Sequence, residues 1–324
     1  MPRLRRSDVT GPGLHRVRRG KGFAFVDESG RPASAADAAR AKALVLPPAW
    51  TDVWIAPHAN GHVQATGIDD AGRRQYRYHE AWRLQKDRLK FDRMLELAAT
   101  LPTARRGVTR DLRRDDLSRE RILAAAFRML DTGMLRVGSE RYADAHGSYG
   151  LSTLLGAHAR VVDGSRVVLS FPGKSGQPWE SEIADPDLAL VVARLKRRGG
   201  RARLLAWQDD AGPHPVSAED INADVRARTG GDFTAKDFRT LHGTVTAAVA
   251  LAKSGPGETP AARKRAVVNA VRLAADALGN TPAVARSSYV DPRLLDRYAK
   301  GETIEVTGVR SAEARLRQLV TGAP

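Results

Sequence analysis

Near Ala81 the apolar residues of this chain change their repeat, from alternate positions to every third or fourth, and that change constrains the fold more than any single motif does. Upstream, alternating runs cover 22–26, 52–55, 62–66 and 75–79, separated by Gly30-Arg31-Pro32, Asn60-Gly61 and Ala71-Gly72, residues that favour tight turns. A small sheet of hairpins is expected there, with a helix over 35–44. Downstream the signals are helical. Ser118 stands as an N-cap with Glu120 in the first turn, ahead of a stripe of Ile122, Leu123, Ala126, Met129 and Leu130. Asp185-Pro186, Thr259-Pro260 and Thr281-Pro282 each place a capping side chain before a proline suited to the first helical position. Ser217 with Asp220 and Thr234 with Asp237 fit capping boxes, and Gly279 closes the helix that opens at Thr259. Between these helices, Arg160-Val161-Val162, a turn at Asp163-Gly164-Ser165, alternating Val167, Leu169 and Phe171, and a run over 179–183 predict a three-stranded sheet.

The fold class that follows is α+β: a small mixed, β-rich domain over 1–90 and a larger, mainly α-helical domain over 91–324 with a small antiparallel sheet. The charged stretch 84–91 is either a flexible join or an ordinary helix.

Charge narrows the partner. The chain holds 53 Lys plus Arg against 37 Asp plus Glu, a formal net charge of +16. Residues 1–90 hold 17 cations and 9 acids, leaving 36 and 28 for the remainder, so each part carries +8. A basic balance spread over both domains suits one continuous polyanion-facing surface, and nucleic acid is the common large polyanion of a cell. The lack of cysteine removes disulfide scaffolds, thiolate-bound metals and thiol nucleophiles together. With no run of 18 apolar residues and no apolar core in the basic N-terminal stretch, a cytoplasmic protein without membrane contact is expected.

Several chemical-looking motifs fail. His58 and His62 flank Asn60-Gly61, which favours a hairpin over a helix face that would present both rings to a metal. Gly173-Lys174-Ser175 resembles the end of a phosphate-binding loop, but Val168 stands where that loop needs its first glycine. Gly11-Pro12-Gly13 lacks the third glycine of a dinucleotide site. The basic run 194–203 is either a solvated face or a phosphate contact. Tyr142, Tyr149 and Tyr298 are expected to be packing residues.

A dispersed set is more informative: Arg136 in Gly133-Met134-Leu135-Arg136-Val137-Gly138 at a helix end, Lys174 on a hairpin tip, Arg239 one turn into a capped helix in Lys236-Asp237-Phe238-Arg239-Thr240, and Asn280 nine residues before Tyr289. In this order the set resembles the type IB DNA topoisomerases, in particular the compact poxvirus-like branch found in bacteria. The resemblance extends to Gly72-Arg73-Arg74-Gln75-Tyr76-Arg77-Tyr78, which is similar to that branch's DNA-contacting strand, and to Pro47-Pro48-Ala49-Trp50-Thr51-Asp52-Val53-Trp54.

The resemblance implies a catalytic set of Tyr289, Arg136, Lys174, Arg239 and Asn280. Tyr289 would attack a DNA phosphodiester to form a 3′-phosphotyrosyl link, with Arg136 and Arg239 neutralising the nonbridging oxygens and Asn280 donating to one of them. Lys174, lowered in pKa by burial beside the two arginines once DNA draws its hairpin in, would protonate the leaving oxygen. Arg73, Arg74, Gln75, Tyr76 and Tyr78 would contact DNA; strand alternation puts Arg74, Tyr76 and Tyr78 on one face and Arg73, Gln75 and Arg77 on the other without choosing between them. Such an enzyme relaxes supercoils of both signs by swivelling, needs no cofactor, ATP or metal, and is expected to act as a monomer on double-stranded DNA in the nucleoid. A tyrosine recombinase shares the Arg, Lys, Arg and Tyr logic but places His where this chain has Lys236; a nonenzymatic DNA-binding protein is the third reading. Asn280 departs from the His common at its position in poxvirus enzymes, so only hydrogen bonding is expected of it.

Overall fold

The computed structural model describes residues 3–305 and 309–322. The chain divides into two compact units, Met1–Leu89 and Lys90–Pro324.

The first unit is a five-stranded antiparallel sheet of β1 (Leu14–Arg19), β2 (Gly22–Val26), β3 (Thr51–Ile55), β4 (Val63–Ile68) and β5 (Arg74–Tyr78), with α1 (Ala35–Ala43) between β2 and β3 in the chain. The strand order is β2-β1-β3-β4-β5. Four of these strands and the helix lie where the alternating runs put them. β1 has no such signal, because its Leu-His-Arg-Val-Arg-Arg carries four basic residues; pairing with β2 across the Gly20 turn defines it. Ser34 caps α1 by accepting from the Asp37 amide. Phe25, Ala41, Val53, Ile55 and Ala65 form the core that joins α1 to one sheet face. On the opposite face Trp54, Ala56 and Val63 pack together under Val9.

Helix α2 (Glu80–Leu112) carries the chain from the first unit into the second, so 84–91 is helical. The second unit continues through α3 (Arg119–Gly133), α4 (Glu140–His146), β6 (Ala159–Val162), β7 (Arg166–Pro172), β8 (Pro178–Ala184), α5 (Pro186–Lys196), β9 (Ala206–Asp209), β10 (Gly212–Pro215), α6 (Ala218–Thr229), α7 (Ala235–Ser254), α8 (Pro260–Leu278), α9 (Pro282–Ser288), α10 (Pro292–Ala299) and α11 (Val309–Thr321). Strands β6, β7 and β8 form the expected antiparallel sheet, while the β9–β10 hairpin, two prolines in its second strand, was not visible in the alternation. Asp185, Thr259 and Thr281 cap their helices through their side chains, and Ser217 and Asp220 bond reciprocally. Ser118 occupies the N-cap of α3, but its hydroxyl donates to Asp116 at 2.6 Å instead of capping an amide.

Helix α3 lies in the core: Ile122, Phe127, Met129 and Leu130 are fully buried, and Phe127 meets Phe238 of α7 edge to face at 5.3 Å. Tyr298 is buried as expected, whereas Tyr142 is 53% exposed and is not a core residue. The basic run 194–203 is mostly bound within the fold. Arg194 donates to the Asp115 carbonyl, Lys196 to those of Gly156 and Ala159, and Arg198 to those of Leu195, Arg203 and Leu204, while Arg203 pairs with Glu140.

A buried charge cluster ties three helices together. Arg105 of α2 donates two hydrogen bonds to Asp131 of α3, at 2.7 and 2.8 Å, and two to Glu313 of α11, at 2.7 and 2.8 Å. The Asp131 carbonyl accepts from His242 Nε2 of α7 at 2.9 Å, and burial lowers the His242 pKa to about 4, which keeps the ring neutral. Arg105→Ala would leave two buried carboxylates facing each other, so a loss of about 3–5 kcal/mol is expected for the second unit, measured by urea unfolding.

Candidate active site

Four of the five expected catalytic side chains converge in the second unit, three of them at the ends of helices and Arg239 within one. Helix α3 ends at Gly133, and Met134 takes a left-handed conformation (φ 56°, ψ 24°) that turns the chain out of the helix. Arg136 therefore sits three residues past the helix end, in an extended stretch held by amide bonds from Leu151 to the Arg136 carbonyl (2.9 Å) and from Ser152 to the Val137 carbonyl (2.7 Å). The two segments cross at a pair of glycines. A methyl group on Gly150 would stand 2.5 Å from Gly138 Cα, so the approach excludes any side chain there.

Arg239 lies in the second turn of α7, whose start is fixed by Asp237 accepting from the Thr234 amide and hydroxyl. It is 3% exposed. Its Nη1 donates to the Met134 carbonyl and its Nη2 to the Leu278 carbonyl, both at 2.7 Å, while the buried Nε finds no partner among the described residues. Burial, and then the charge of Arg136, lowers its pKa to about 10, so it stays cationic at neutral pH.

Asn280 follows Gly279, the left-handed cap of α8. Its Oδ1 accepts from Arg136 Nη2 at 2.8 Å, and its Nδ2 donates to the Leu278 carbonyl at 3.3 Å. The amide expected to donate outward is thus directed to the backbone, and its oxygen orients a guanidinium.

Tyr289 caps the C-terminal end of α9. Its carbonyl accepts from Thr244 Oγ1 of α7 at 2.9 Å, and that hydroxyl in turn accepts from the Asp291 amide at 3.2 Å. The approach to α7 is close enough that a methyl on Gly243 would stand 2.8 Å from the Tyr289 carbonyl oxygen. The Arg239 guanidinium carbon lies 5.3 Å from the centre of the phenol ring, within cation–π range. Burial pushes the Tyr289 pKa up, but the charges and hydrogen bonds of Arg239 and Arg136 outweigh it, and the phenol is held below its ordinary value.

Lys174 does not join this cluster's hydrogen bonds. It occupies the exposed tip between β7 and β8, where Ser175 (φ 61°) and Gly176 (φ 72°) reverse the chain.

In the first unit, register settles which strand face carries which side chain. Trp54 pairs with Thr66, and Thr66 with Tyr76, so Arg74, Tyr76 and Tyr78 lie on the face opposite α1. Tyr76 and Tyr78 are each 45% exposed and stack on one another at 5.9 Å, so neither is a core residue. Arg74 pairs with Asp52. Arg73 and Gln75 converge on Asp69, which hydrogen bonds from the Arg73 side chain and amide hold at a pKa of about 2.

A family model described as the eukaryotic DNA topoisomerase I catalytic core matches residues 79–307. The chain belongs to the type IB DNA topoisomerases. A second model, the bacterial DNA topoisomerase IB N-terminal domain, matches residues 22–69. The DNA topoisomerase 1B of Acanthamoeba polyphaga mimivirus is 31% identical over 257 residues, covering 78% of this chain and 76% of that protein. The DNA topoisomerase 1 of Mycosarcoma maydis is 26% identical over 182 residues, covering 51% of this chain and 18% of that one. As a type IB topoisomerase the chain is an enzyme that acts on DNA, and among the described residues no helix is long and apolar enough to cross a membrane.

Sequence reasoning missed the residues that hold this topoisomerase's Tyr289 in place. Gly243 and Thr244 carry it, and a glycine inside the long apolar helix 235–254 was the available signal, since it disfavours the helix unless something packs close. Removing one cation should release the phenol. In ultraviolet difference titrations of the wild type against Tyr289→Phe, Tyr289 is expected to ionise below an ordinary tyrosine, and Arg136→Ala to raise that transition; an unchanged transition would refute the electrostatic account.

Proposed function

We propose that this topoisomerase relaxes supercoiled duplex DNA by cutting one strand, letting the duplex swivel and resealing it. The observation that carries the proposal is the convergence of Arg239 and of Arg136, held by Asn280, on Tyr289. An in-line displacement at phosphorus builds negative charge on the nonbridging oxygens while the attacking and leaving oxygens stay opposed, so positioned cations account for most of the acceleration. Two guanidiniums supply fixed, permanently charged donors that match phosphate geometry. The same two cations favour the phenolate form of the nucleophile.

In the step itself Tyr289 gives up its phenol proton to solvent, and the phenolate oxygen bonds to phosphorus as the bond from phosphorus to the 5′-oxygen breaks. The electron pair goes to that 5′-oxygen, which takes a proton from Lys174 once DNA draws the hairpin tip inward. The 3′-phosphotyrosyl link conserves the phosphodiester energy, and attack by the 5′-hydroxyl reverses the step with neither ATP nor metal. Asn280 serves by orienting Arg136 through its carbonyl. Arg74, Tyr76 and Tyr78, together on an exposed sheet face, supply phosphate and groove contacts, whereas Arg73 and Gln75 belong to the other side of the strand and are held by Asp69.

Relaxation of both positively and negatively supercoiled plasmid in EDTA without ATP is the expected outcome, and a strict need for Mg²⁺ or failure on positive supercoils would overturn the proposal. Tyr289→Phe should retain duplex binding in a gel-shift assay and relax nothing. For Asn280, a neutral acceptor should suffice: Asn280→His should stay within about tenfold of wild type in single-turnover cleavage. Asn280→Asp, whose carboxylate would pair with Arg136 and repel the phosphate, should lose about 100-fold or more.

A further inference from the structure

We infer that Trp179 is a positioning residue that couples the Lys174 hairpin to the Asn280 turn, so that the proton donor and the Arg136–Asn280 pair address one phosphate. This rests on the mechanism proposed above. Lys174 stands at the tip of a hairpin whose ladder ends at Phe171 opposite Trp179 and Pro172 opposite Pro178, with the Gly173 amide donating to the Gln177 carbonyl at 2.7 Å. Near its tip, two contacts connect that hairpin to the segments carrying the catalytic set, while further along β8 Ile183 packs against Gly133 at the end of α3. The Pro172 carbonyl accepts from the Tyr149 amide at 2.8 Å, next to the stretch that holds the Arg136 backbone. On the other strand, the half-buried indole of Trp179 lies against Gly279, where an added methyl would stand 2.9 Å from Cζ3 and 3.2 Å from Cε3.

Gly279 is the left-handed cap (φ 57°) from which Asn280 emerges, and Asn280 Oδ1 holds Arg136. The indole therefore rests on the residue next to a group that orients a phosphate-binding cation, while its own strand leads directly to the proton donor. Its edge is fixed by Nε1 donating to Ser181 Oγ at 3.3 Å. A flat, stiff ring suits such a coupling, because it has only two rotatable bonds to order. Without it the tip end of the hairpin keeps only the Pro172 anchor and can tilt about it. A displacement of about 1 Å at a reacting group is enough to cost about 100-fold.

The consequence falls on one step only. With oxygen as leaving atom, departure needs the Lys174 proton; with sulfur at the bridging 5′ position the thiolate leaves unprotonated, and the proton donor ceases to matter. Single-turnover cleavage is measured on two duplexes that differ only in that atom, and the ratio of the sulfur rate to the oxygen rate is compared among variants. The ratio does not depend on how much of a preparation is folded. Lys174→Ala should raise it about 100-fold or more. Trp179→Ala should raise it about tenfold or more, and Trp179→Phe, which keeps a flat ring on Gly279, should leave it near wild type. If Lys174→Ala raises the ratio while Trp179→Ala slows both duplexes equally or neither, Trp179 is only a packing residue and the inference falls. If Lys174→Ala leaves the ratio unchanged, the proton-donor assignment falls, and this inference with it.

Discussion

One buried guanidinium organises the second unit's site. Arg239 gives one terminal nitrogen to the Met134 carbonyl, at the exit of α3, and the other to the Leu278 carbonyl, at the exit of α8. Those are the points from which Arg136 and Asn280 emerge. Helix ends leave carbonyls without intrahelical partners, and a buried arginine needs acceptors, so each requirement meets the other. The arrangement joins three segments distant in the chain through one side chain.

The cost of burying this charge is visible in its lowered pKa, and Arg136 nearby adds to it. Two cations this close repel, and what offsets them in the structure is a set of neutral acceptors together with a phenol ring facing Arg239. The site is thus short of negative charge. A phosphodiester entering it would relieve that imbalance, and a transition state carrying extra charge on its nonbridging oxygens would relieve it further, which is the differential stabilisation that accelerates a reaction. The Arg239 Nε, without a partner among the described residues, is a remaining donor of the same group.

Features decided by neighbouring residues were legible in the sequence. Caps at Asp185, Ser217, Thr259 and Thr281 depend on side chains acting within one turn, and the three-stranded sheet follows from alternation with a turn between strands. The identities of Arg136, Arg239, Asn280 and Tyr289 came from order and resemblance, and their convergence is geometric. What sequence withheld were choices made by distant partners. Asn280 has two ends, and only the placement of Arg136 and Leu278 decides which faces where. The strand 74–78 has two faces, and only the pairing of Thr66 with both Trp54 and Tyr76 distinguishes them. The cations of 194–203 have the same composition whether they meet solvent, phosphate or carbonyls, and the fold gives most of them carbonyls. β1 was hidden for a related reason, since its basic residues obscure the alternation that its partner strand imposes.

The strand that carries the stacked tyrosines is also the last in its sheet. A terminal strand presents unpaired amides and carbonyls, and a flat one with exposed aromatic rings invites a second copy to add to it. Here Arg74 and Arg77 stand within that strand, exposed, on opposite faces. Two molecules approaching strand to strand would bring these cations together, while a polyanion would be drawn to them. Exposed cations on both faces of a terminal strand therefore add a charge penalty to any strand-to-strand approach, and replacing those arginines with neutral residues would remove it.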